Sequence, residues 1–151
     1  MSRLRYNRRQ AVETLKSNCP NMAALIGEKG AFTLKVKGNE DLFASLASSI
    51  VYQQLSGKAA ATIYGRFAAL FEDNRTTAAM VVDLSMETLR SVGLSNNKAL
   101  AIIDLAEHSC SGSLPNARKM ASMGDEEVIE NLCRVRGIGP WTAQMYLMFS
   151  L

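Results

Sequence analysis

The chain has 151 residues, of which 48% are hydrophobic and 21% charged, and a formal net charge of +3. This composition is typical of one globular domain, and no run approaches the roughly 18 apolar residues needed to cross a bilayer. The three cysteines are widely spaced and form no C-x-x-C pair, which argues against a disulfide framework or a zinc site. We therefore expect a soluble, intracellular monomer that has no membrane partner and no side-chain metal ligands.

Residues 1–38 are predicted to form a basic arm and the leading helices of the same domain. Four arginines lie within the first nine residues: Arg3, Arg5, Arg8 and Arg9. Residues 8–28 predict one or two helices. The arm suits contact with nucleic-acid phosphate or nuclear targeting, and equally a solvated helix start.

The middle of the chain predicts an all-α fold, because apolar residues recur at helical spacing with little alternation. Asn39 can cap a helix that continues to about Tyr52, and Ser56 can cap the next helix, which should pack against the first as an antiparallel pair. The apolar positions of that second helix are Ala59, Ala60, Ile63, Tyr64, Phe67, Leu70 and Phe71. Residues 32–37 alternate apolar and polar side chains and could be extended, which would not change the class.

Capping residues also divide the second half of the chain. Ser85 opens a short helix that ends near Gly93, Ser95 opens a longer helix, and Asp125 opens the first helix of a C-terminal hairpin. Four residues of the longer helix are expected to face the core: Leu100, Ile103, Leu105 and Ala106.

The C-terminal hairpin consists of a helix, a Gly-Ile-Gly turn at residues 137–139 and a second helix that starts at Pro140. Glycines allow a tight turn and bring backbone amides close to a ligand, and proline fits the first turn of a helix. The unpaired amides and the positive end of the helix dipole attract an anion. The same pattern also marks an ordinary tight turn between helices.

A weaker copy of this pattern occurs at residues 92–99, where Gly93 precedes a helix that starts near Ser95, with Lys98 close to the turn. Two such helices on one face could hold phosphates of the same strand. A C-cap glycine followed by an N-cap serine is, however, also common helix punctuation.

Three motifs occur in the order found in a known family: SIVYQQLSGKAA at 49–60, GLSNNKA at 93–99 and GIGPWTA at 137–143. Together they resemble the helix-hairpin-helix (HhH-GPD) DNA glycosylases, most closely the 3-methyladenine DNA glycosylase II branch of alkylation repair. The resemblance runs from about residue 41 to the end, and we place the domain at 39–151 with its hairpin at 125–151. It implies a base-excision repair enzyme that extrudes an alkylated purine such as 3-methyladenine from duplex DNA and cleaves its N-glycosidic bond.

The resemblance also implies roles for single residues. The positions implied to contact phosphate are Gly137, Ile138, Gly139, Thr142, Ser95 and Lys98. In the family, a residue in the turn after the first motif helix fills the gap left by the flipped base. The matching position is Gln54, with Gln53 and Leu55 beside it, although a glutamine pair at a helix end also suits capping or solvent exposure.

Trp141 distinguishes between the family's mechanisms. Bifunctional members carry a lysine at this position, which forms a Schiff base with the sugar, and tryptophan cannot do so. The resemblance therefore implies a monofunctional enzyme in which Trp141, and more weakly Tyr52, line a pocket that attracts an electron-poor base. Core packing is the usual alternative for a single tryptophan after a turn.

The family's catalytic aspartate follows the second hairpin helix, so the resemblance places it beyond Leu151, and we expect the chain to stop before it. The catalytic residue is therefore unknown, and activity of these 151 residues alone is in doubt. Asp125 suits a helix cap, and Asp104 with His108 one turn later indicates acid–base chemistry only faintly. The alternative function is an inactive DNA-binding module, in which an uncovered apolar face would permit association.

The expected partner is double-stranded DNA that contains a damaged base. No organic cofactor is expected, but some relatives hold a monovalent cation, Na⁺ or K⁺, on hairpin backbone carbonyls, and the resemblance allows the same here. A repair role predicts the nucleus if the chain is eukaryotic, and otherwise the cytoplasm or nucleoid.

Overall fold

A computed structural model of the chain describes residues 7–31 and 41–150 and divides the chain into two compact units, Met1–Val36 and Lys37–Leu151. The all-α prediction is confirmed, since the described residues contain helices and no strand. Asn39 and residues 32–37, for which a cap and an extended segment were predicted, lie outside the described residues, as do Arg3 and Arg5. The assignment of residues 1–38 to the same domain stays a prediction.

The first unit contains two helices that pack against each other, α1 (Arg8–Asn18) and α2 (Pro20–Lys29). Asn7 caps α1 by accepting a hydrogen bond from the Gln10 backbone, and Pro20 occupies the first position of α2. The prediction of one or two helices over residues 8–28 is confirmed, with two helices present. Neither helix contains a fully buried residue.

The second unit contains eight α-helices within its described residues. They are α3 (Leu42–Tyr52), α4 (Gly57–Ala68), α5 (Ala78–Val82), α6 (Met86–Ser91), α7 (Asn96–Cys110), α8 (Ala117–Met120), α9 (Asp125–Cys133) and α10 (Pro140–Ser150). A short 3₁₀ turn, Glu72–Asn74, follows α4. No described helix is both long and apolar enough to span a membrane.

The α3–α4 pair is antiparallel, as predicted. The helices are joined by a short turn, and the Tyr64 hydroxyl donates to the Ala44 carbonyl at 3.5 Å, which brings the far ends of the pair together. Ser56 caps α4 through the Ala59 amide, but α3 is capped by Asp41, whose carboxylate accepts from the Phe43 amide.

Helix α7 is the centre of the second unit, because α3, α5 and α6 all pack against it. The predicted caps Ser85 and Ser95 are confirmed. The predicted core face was partly wrong, since Ala101 and Ile102 are buried whereas Leu100 and Ile103 are only half-buried.

The hairpin is formed by α9 and α10, which pack against each other at the end of the unit. Gly124, not Asp125, occupies the N-cap of α9, and Asp125 is its first helical residue. Acidic side chains in the first turn interact favourably with the helix dipole even without capping it, which explains the shift by one residue.

Candidate nucleic-acid interface

The turn between α9 and α10 is fixed by a glycine and a buried isoleucine. Gly137 has a φ of 77°, and a Cβ there would lie 3.1 Å from the Cβ of Ala101 on α7. Ile138 is 4% exposed, and its amide donates to the Val135 carbonyl at 3.1 Å. The backbone therefore needs glycine at position 137, both for its conformation and for its contact with α7.

Gly139 is required by neither conformation nor packing. It is exposed, and a Cβ on it would meet no atom within 4 Å. The amides of Gly139, Trp141 and Thr142 donate no hydrogen bond within the part of the chain that the structure describes. These free amides at the start of α10, together with its dipole, form a surface that suits an anion.

Asp104 anchors the hairpin to α7. Its Oδ2 accepts a hydrogen bond from the Arg136 amide at 2.7 Å and lies 3.8 Å from His108 Nε2, whose ring is also bonded to Ser113 through Nδ1. Sequence reasoning treated Asp104 and His108 only as a faint acid–base pair. It missed this anchor because the partner of Asp104 is a backbone N–H, which leaves no pattern in side-chain types.

The turn between α3 and α4, residues 53–55, is called the wedge turn below. Gln54 is exposed and has a φ of 56°, a left-handed conformation that costs a non-glycine residue about 1 kcal/mol. Leu55 beside it is 38% exposed, and Tyr52 at the end of α3 is 41% exposed. The structure therefore presents Gln54 at the tip of a tightly bent turn that is open to solvent.

Gln53 points toward the hairpin. Its Nε2 donates to the Gly137 carbonyl at 2.9 Å and to Thr142 Oγ1 at 3.3 Å. The wedge turn and the hairpin are therefore neighbours, joined by one amide side chain across 84 residues of sequence. Only the resemblance had placed these two motifs in one site.

Lys98, which belongs to the weaker copy of the glycine pattern at residues 92–99, also holds the wedge turn. Its ammonium donates to the carbonyls of Val51 at 2.6 Å and Gln53 at 2.8 Å. Burial against these groups lowers the pKa of Lys98 below its usual value, since desolvation disfavours the charged form. An ammonium has three donors, so one remains for another acceptor. Ser95 is the cap of α7, and its hydroxyl accepts from the Lys98 amide at 3.4 Å.

Trp141 is 72% exposed on the first turn of α10. It therefore does not pack into the core of the described residues, which removes the usual explanation for a lone tryptophan. Trp141 directly precedes Thr142, which bonds to Gln53 of the wedge turn, so Trp141 is one residue along α10 from that contact. An exposed aromatic ring at this place can stack on a planar ligand.

Two helices joined by an exposed glycine turn with free amides define a helix-hairpin-helix protein. Residues 47–151 match the model of the HhH-GPD superfamily of base excision DNA repair proteins, and the chain belongs to this superfamily. The prediction from the three motifs is thereby confirmed.

Sequence comparison finds relatives in yeasts and bacteria. The chain is 34% identical over 110 residues to the DNA-3-methyladenine glycosylase 1 of Schizosaccharomyces pombe, a match that covers 72% of this chain and 48% of that protein. It is 32% identical over 161 residues to the DNA-3-methyladenine glycosylase of Saccharomyces cerevisiae, which covers 93% of this chain and 52% of that protein. The chain thus spans about half the length of these relatives.

Solved structures agree with the sequence comparison. The 3-methyladenine DNA glycosylase of S. pombe in complex with abasic DNA matches with a TM-score of 0.85 and 29% identity, covering 94% of this chain and 70% of that one. The DNA-3-methyladenine glycosidase of Bacillus halodurans matches with a TM-score of 0.79 and 37% identity, covering 92% and 63%.

Proposed function

We propose that this protein is a monofunctional DNA N-glycosylase of base-excision repair, which flips and excises alkylated purines such as 3-methyladenine. The names of its relatives and its superfamily support this assignment. The observation that carries it is the Gln53 side chain, which joins an exposed turn to an anion-binding hairpin so that one duplex can touch both.

DNA binding begins at the hairpin in this proposal. A backbone phosphate accepts hydrogen bonds from the free amides of α10, beside Gly137, Ile138 and Gly139, while Thr142 lines the same turn. Ser95 and the remaining N–H of Lys98 are proposed to face the same strand. These contacts fix the register of the protein on the duplex without reading its sequence.

Base flipping is then assigned to the wedge turn and the aromatic residues. Gln54, flanked by Leu55, fills the gap left by the extruded nucleotide, which offsets part of the cost of unstacking. Trp141 and Tyr52 stack on the alkylated base, whose positive charge adds cation–π attraction. Trp141 has no amine to attack the sugar, so the enzyme would hydrolyse the N-glycosidic bond and release the base without cutting the strand.

Cleavage of the N-glycosidic bond needs a carboxylate that activates water or stabilises the positive charge developing on the sugar. Asp104 is engaged with the Arg136 amide, so we assign it a structural role. The acid is proposed to be the aspartate that the family carries after the second hairpin helix. The excision activity is accordingly a proposal for the whole protein.

A sodium or potassium ion on the hairpin is also proposed. The carbonyls of Arg136 and Ile138 accept no hydrogen bond from the described residues, and such oxygens are ligands of the kind that these cations take. Bound there, the ion would add positive charge beside the phosphate. Exchange of Na⁺ and K⁺ for a large organic cation should then weaken DNA binding, and unchanged affinity would remove the ion from the proposal.

The test of the main proposal is release of free 3-methyladenine from alkylated duplex DNA. This chain is compared with a fusion that continues it through the segment proposed to carry the family's aspartate, taken from the S. pombe relative. Release by the fusion supports the proposal, and release by both proteins places the acid within residues 1–151. If neither protein releases the base, the glycosylase assignment fails.

The second candidate is a module that binds DNA without excision, and the free amides of the hairpin favour it because they need no catalytic acid. Such a module should bind damaged and intact duplexes equally.

For either function we place the protein on cellular DNA, as a monomer, in the nucleus of a eukaryote or the nucleoid of a bacterium. In a eukaryote, the arginine-rich arm would serve nuclear targeting.

A further inference from the structure

The two glycine turns of the sequence are similar in three dimensions as well. Gly93 and Gly137 both have positive φ angles, 102° and 77°, and each is followed by a buried apolar residue, Leu94 or Ile138. Each then enters a helix, α7 or α10. Lys98 and Thr142 occupy the same position in this alignment, five residues after the glycine.

These two equivalent residues contact the same partner. Lys98 Nζ donates to the Gln53 carbonyl at 2.8 Å, and Thr142 Oγ1 accepts from the Gln53 side-chain amide at 3.3 Å. The Gly137 carbonyl accepts from the same amide at 2.9 Å. Gln53 is therefore held through its backbone by one glycine turn and through its side chain by the other.

Gln53 directly precedes Gln54, whose left-handed backbone needs support from its surroundings. Lys98 donates hydrogen bonds to the Val51 and Gln53 carbonyls, and these bonds fix the turn on one side of Gln54. On the other side, the Gln53 side-chain amide joins the turn to the Gly137 carbonyl and the Thr142 hydroxyl, which lie beside the free amides of α10. A displacement of the hairpin would consequently be transmitted to Gln54.

We propose that Gln53 is a positioning residue that couples phosphate binding at the hairpin to the placement of Gln54, and that it neither enters the duplex nor lines the base pocket. This inference rests on the proposed function, because it gives Gln54 the role of the wedge. Gln53 acts on damage recognition only through its neighbour.

The variants that test it are Gln53→Met, which keeps the length of the side chain without hydrogen bonds, and Gln53→Glu, which keeps its shape but cannot donate. Gln144→Glu, at an exposed glutamine on α10, is the matched control for added charge. Thr142→Val removes one of the two acceptors of Gln53 and should give a smaller effect in the same direction.

Affinity is measured for an abasic duplex and for an intact one. In Gln53→Met, we expect the preference for abasic DNA to fall about tenfold while affinity for intact duplex changes less than twofold. Gln53→Glu should lower the preference similarly, and its added charge, which repels the phosphates of both duplexes, is judged against Gln144→Glu. The double variant Gln53→Met/Gln54→Ala should lose no more preference than Gln54→Ala alone, since a positioning residue has no effect without its target. Additive losses, or equal losses on both duplexes, would overturn the inference.

Hydrogen exchange in the DNA-free protein separates the inference from the proposed function. Gln53→Met should speed exchange of the Leu55 amide in the wedge turn and of the Ile138 amide in the hairpin together, since these two donate to the Tyr52 and Val135 carbonyls, and Gln144→Glu should not. Unchanged exchange in either segment overturns the coupling regardless of DNA binding. If the wild-type protein shows no preference for abasic DNA but the variants change hydrogen exchange as expected, the proposed function is refuted while the coupling stands.

Discussion

The Gly93 unit (residues 92–99) and the hairpin unit (residues 136–143) share one backbone design. They differ in whether a side chain of the unit accepts a hydrogen bond from an amide at the start of its helix. In the Gly93 unit, the hydroxyl of Ser95 accepts a hydrogen bond from the first turn of α7. In the hairpin unit, Gly139 takes the place of Ser95, and the equivalent amide of Thr142 is free within the described part of the chain. The Ser95 hydroxyl therefore occupies one amide of α7, whereas the equivalent amide of α10 is left for an anion.

The two units also differ in how they are supported. Helix α7, which the Gly93 unit opens, provides both Ala101 beneath Gly137 and Asp104 on the Arg136 amide. The hairpin unit is therefore supported by α7, the helix that the Gly93 unit opens. A binding surface with unpaired donors has to be stabilised from outside, and here α7 does so.

The largest expected effect tests this support at Gly137. Gly137→Ala places a side chain at a φ of 77° and 3.1 Å from Ala101, so we expect the free energy of unfolding to fall by about 2–3 kcal/mol. Urea denaturation measures the loss. Affinity for duplex DNA should fall as well, because the free amides move with the turn.

Gly112→Ala is the matched control for this substitution. Gly112 has a φ of 71° but a Cβ there meets nothing within 4 Å, so the change should cost only the backbone term of about 1 kcal/mol. Gly93→Ala, whose Cβ would lie 3.3 Å from Ile63 Cγ1 at a φ of 102°, should likewise destabilise the fold. Equal costs at positions 112 and 137 would show that contact with α7 does not hold the hairpin.

The second prediction makes the hairpin unit resemble the Gly93 unit at one exposed position. Trp141 aligns with Asn97, and Trp141→Asn removes a ring that is 72% exposed, so stability should change by less than about 0.5 kcal/mol. Stacking on a base contributes about 1–3 kcal/mol, so the preference for alkylated duplex should fall roughly 10- to 100-fold.

Binding to damaged and intact duplexes, measured side by side, checks this expectation. Met80→Asn, which changes an exposed apolar residue on α5, should leave both affinities unaltered. A loss from Trp141→Asn that is the same on both duplexes would show that Trp141 supports general binding and has no role in the base pocket.

The third prediction concerns Asp104, which links α7 to the hairpin unit. A hydrogen bond to a charged group contributes about 1.5–3 kcal/mol, and partial exposure of the carboxylate reduces this, so Asp104→Ala should cost about 1 kcal/mol. Asp104→Asn retains an acceptor oxygen and should cost less. Faster hydrogen exchange of the Arg136 amide would locate the effect, and Glu107→Ala, an exposed carboxylate on the same helix, should change neither quantity.

The parts of the fold that were predictable from sequence depend on local interactions. Ser56, Ser85 and Ser95 each accept from an amide three residues onward, so the pattern and the structure concern the same few residues. Helices α5 and α8 were not predicted, because five and four residues are too short to show a helical period.

The connections of the site could not be read from sequence in the same way. The bonds from Arg136 to Asp104, from Gln53 to Gly137 and from Lys98 to Val51 span 32, 84 and 47 residues, and each uses a backbone group on one side. Backbone donors and acceptors are the same at every position, so they leave no signal in residue types. The resemblance supplied the motifs, and only the structure shows that Gln53 joins them.

The smallest effect is expected from a substitution that adds a capping hydroxyl to the hairpin unit. Gly139→Ser installs the residue of the Gly93 unit at the cap of α10, where backbone and space accept a side chain, so stability should rise by a few tenths of a kcal/mol. Its hydroxyl would accept from the Thr142 amide and occupy the place proposed for phosphate, so affinity for duplex DNA should fall about three- to tenfold. Gly139→Ala, which adds bulk without an acceptor, separates occupation of the amide from simple obstruction. Were Gly139→Ser more stable yet bound to DNA as tightly as the wild type, phosphate would have to bind elsewhere, because a capped amide cannot serve two acceptors equally well.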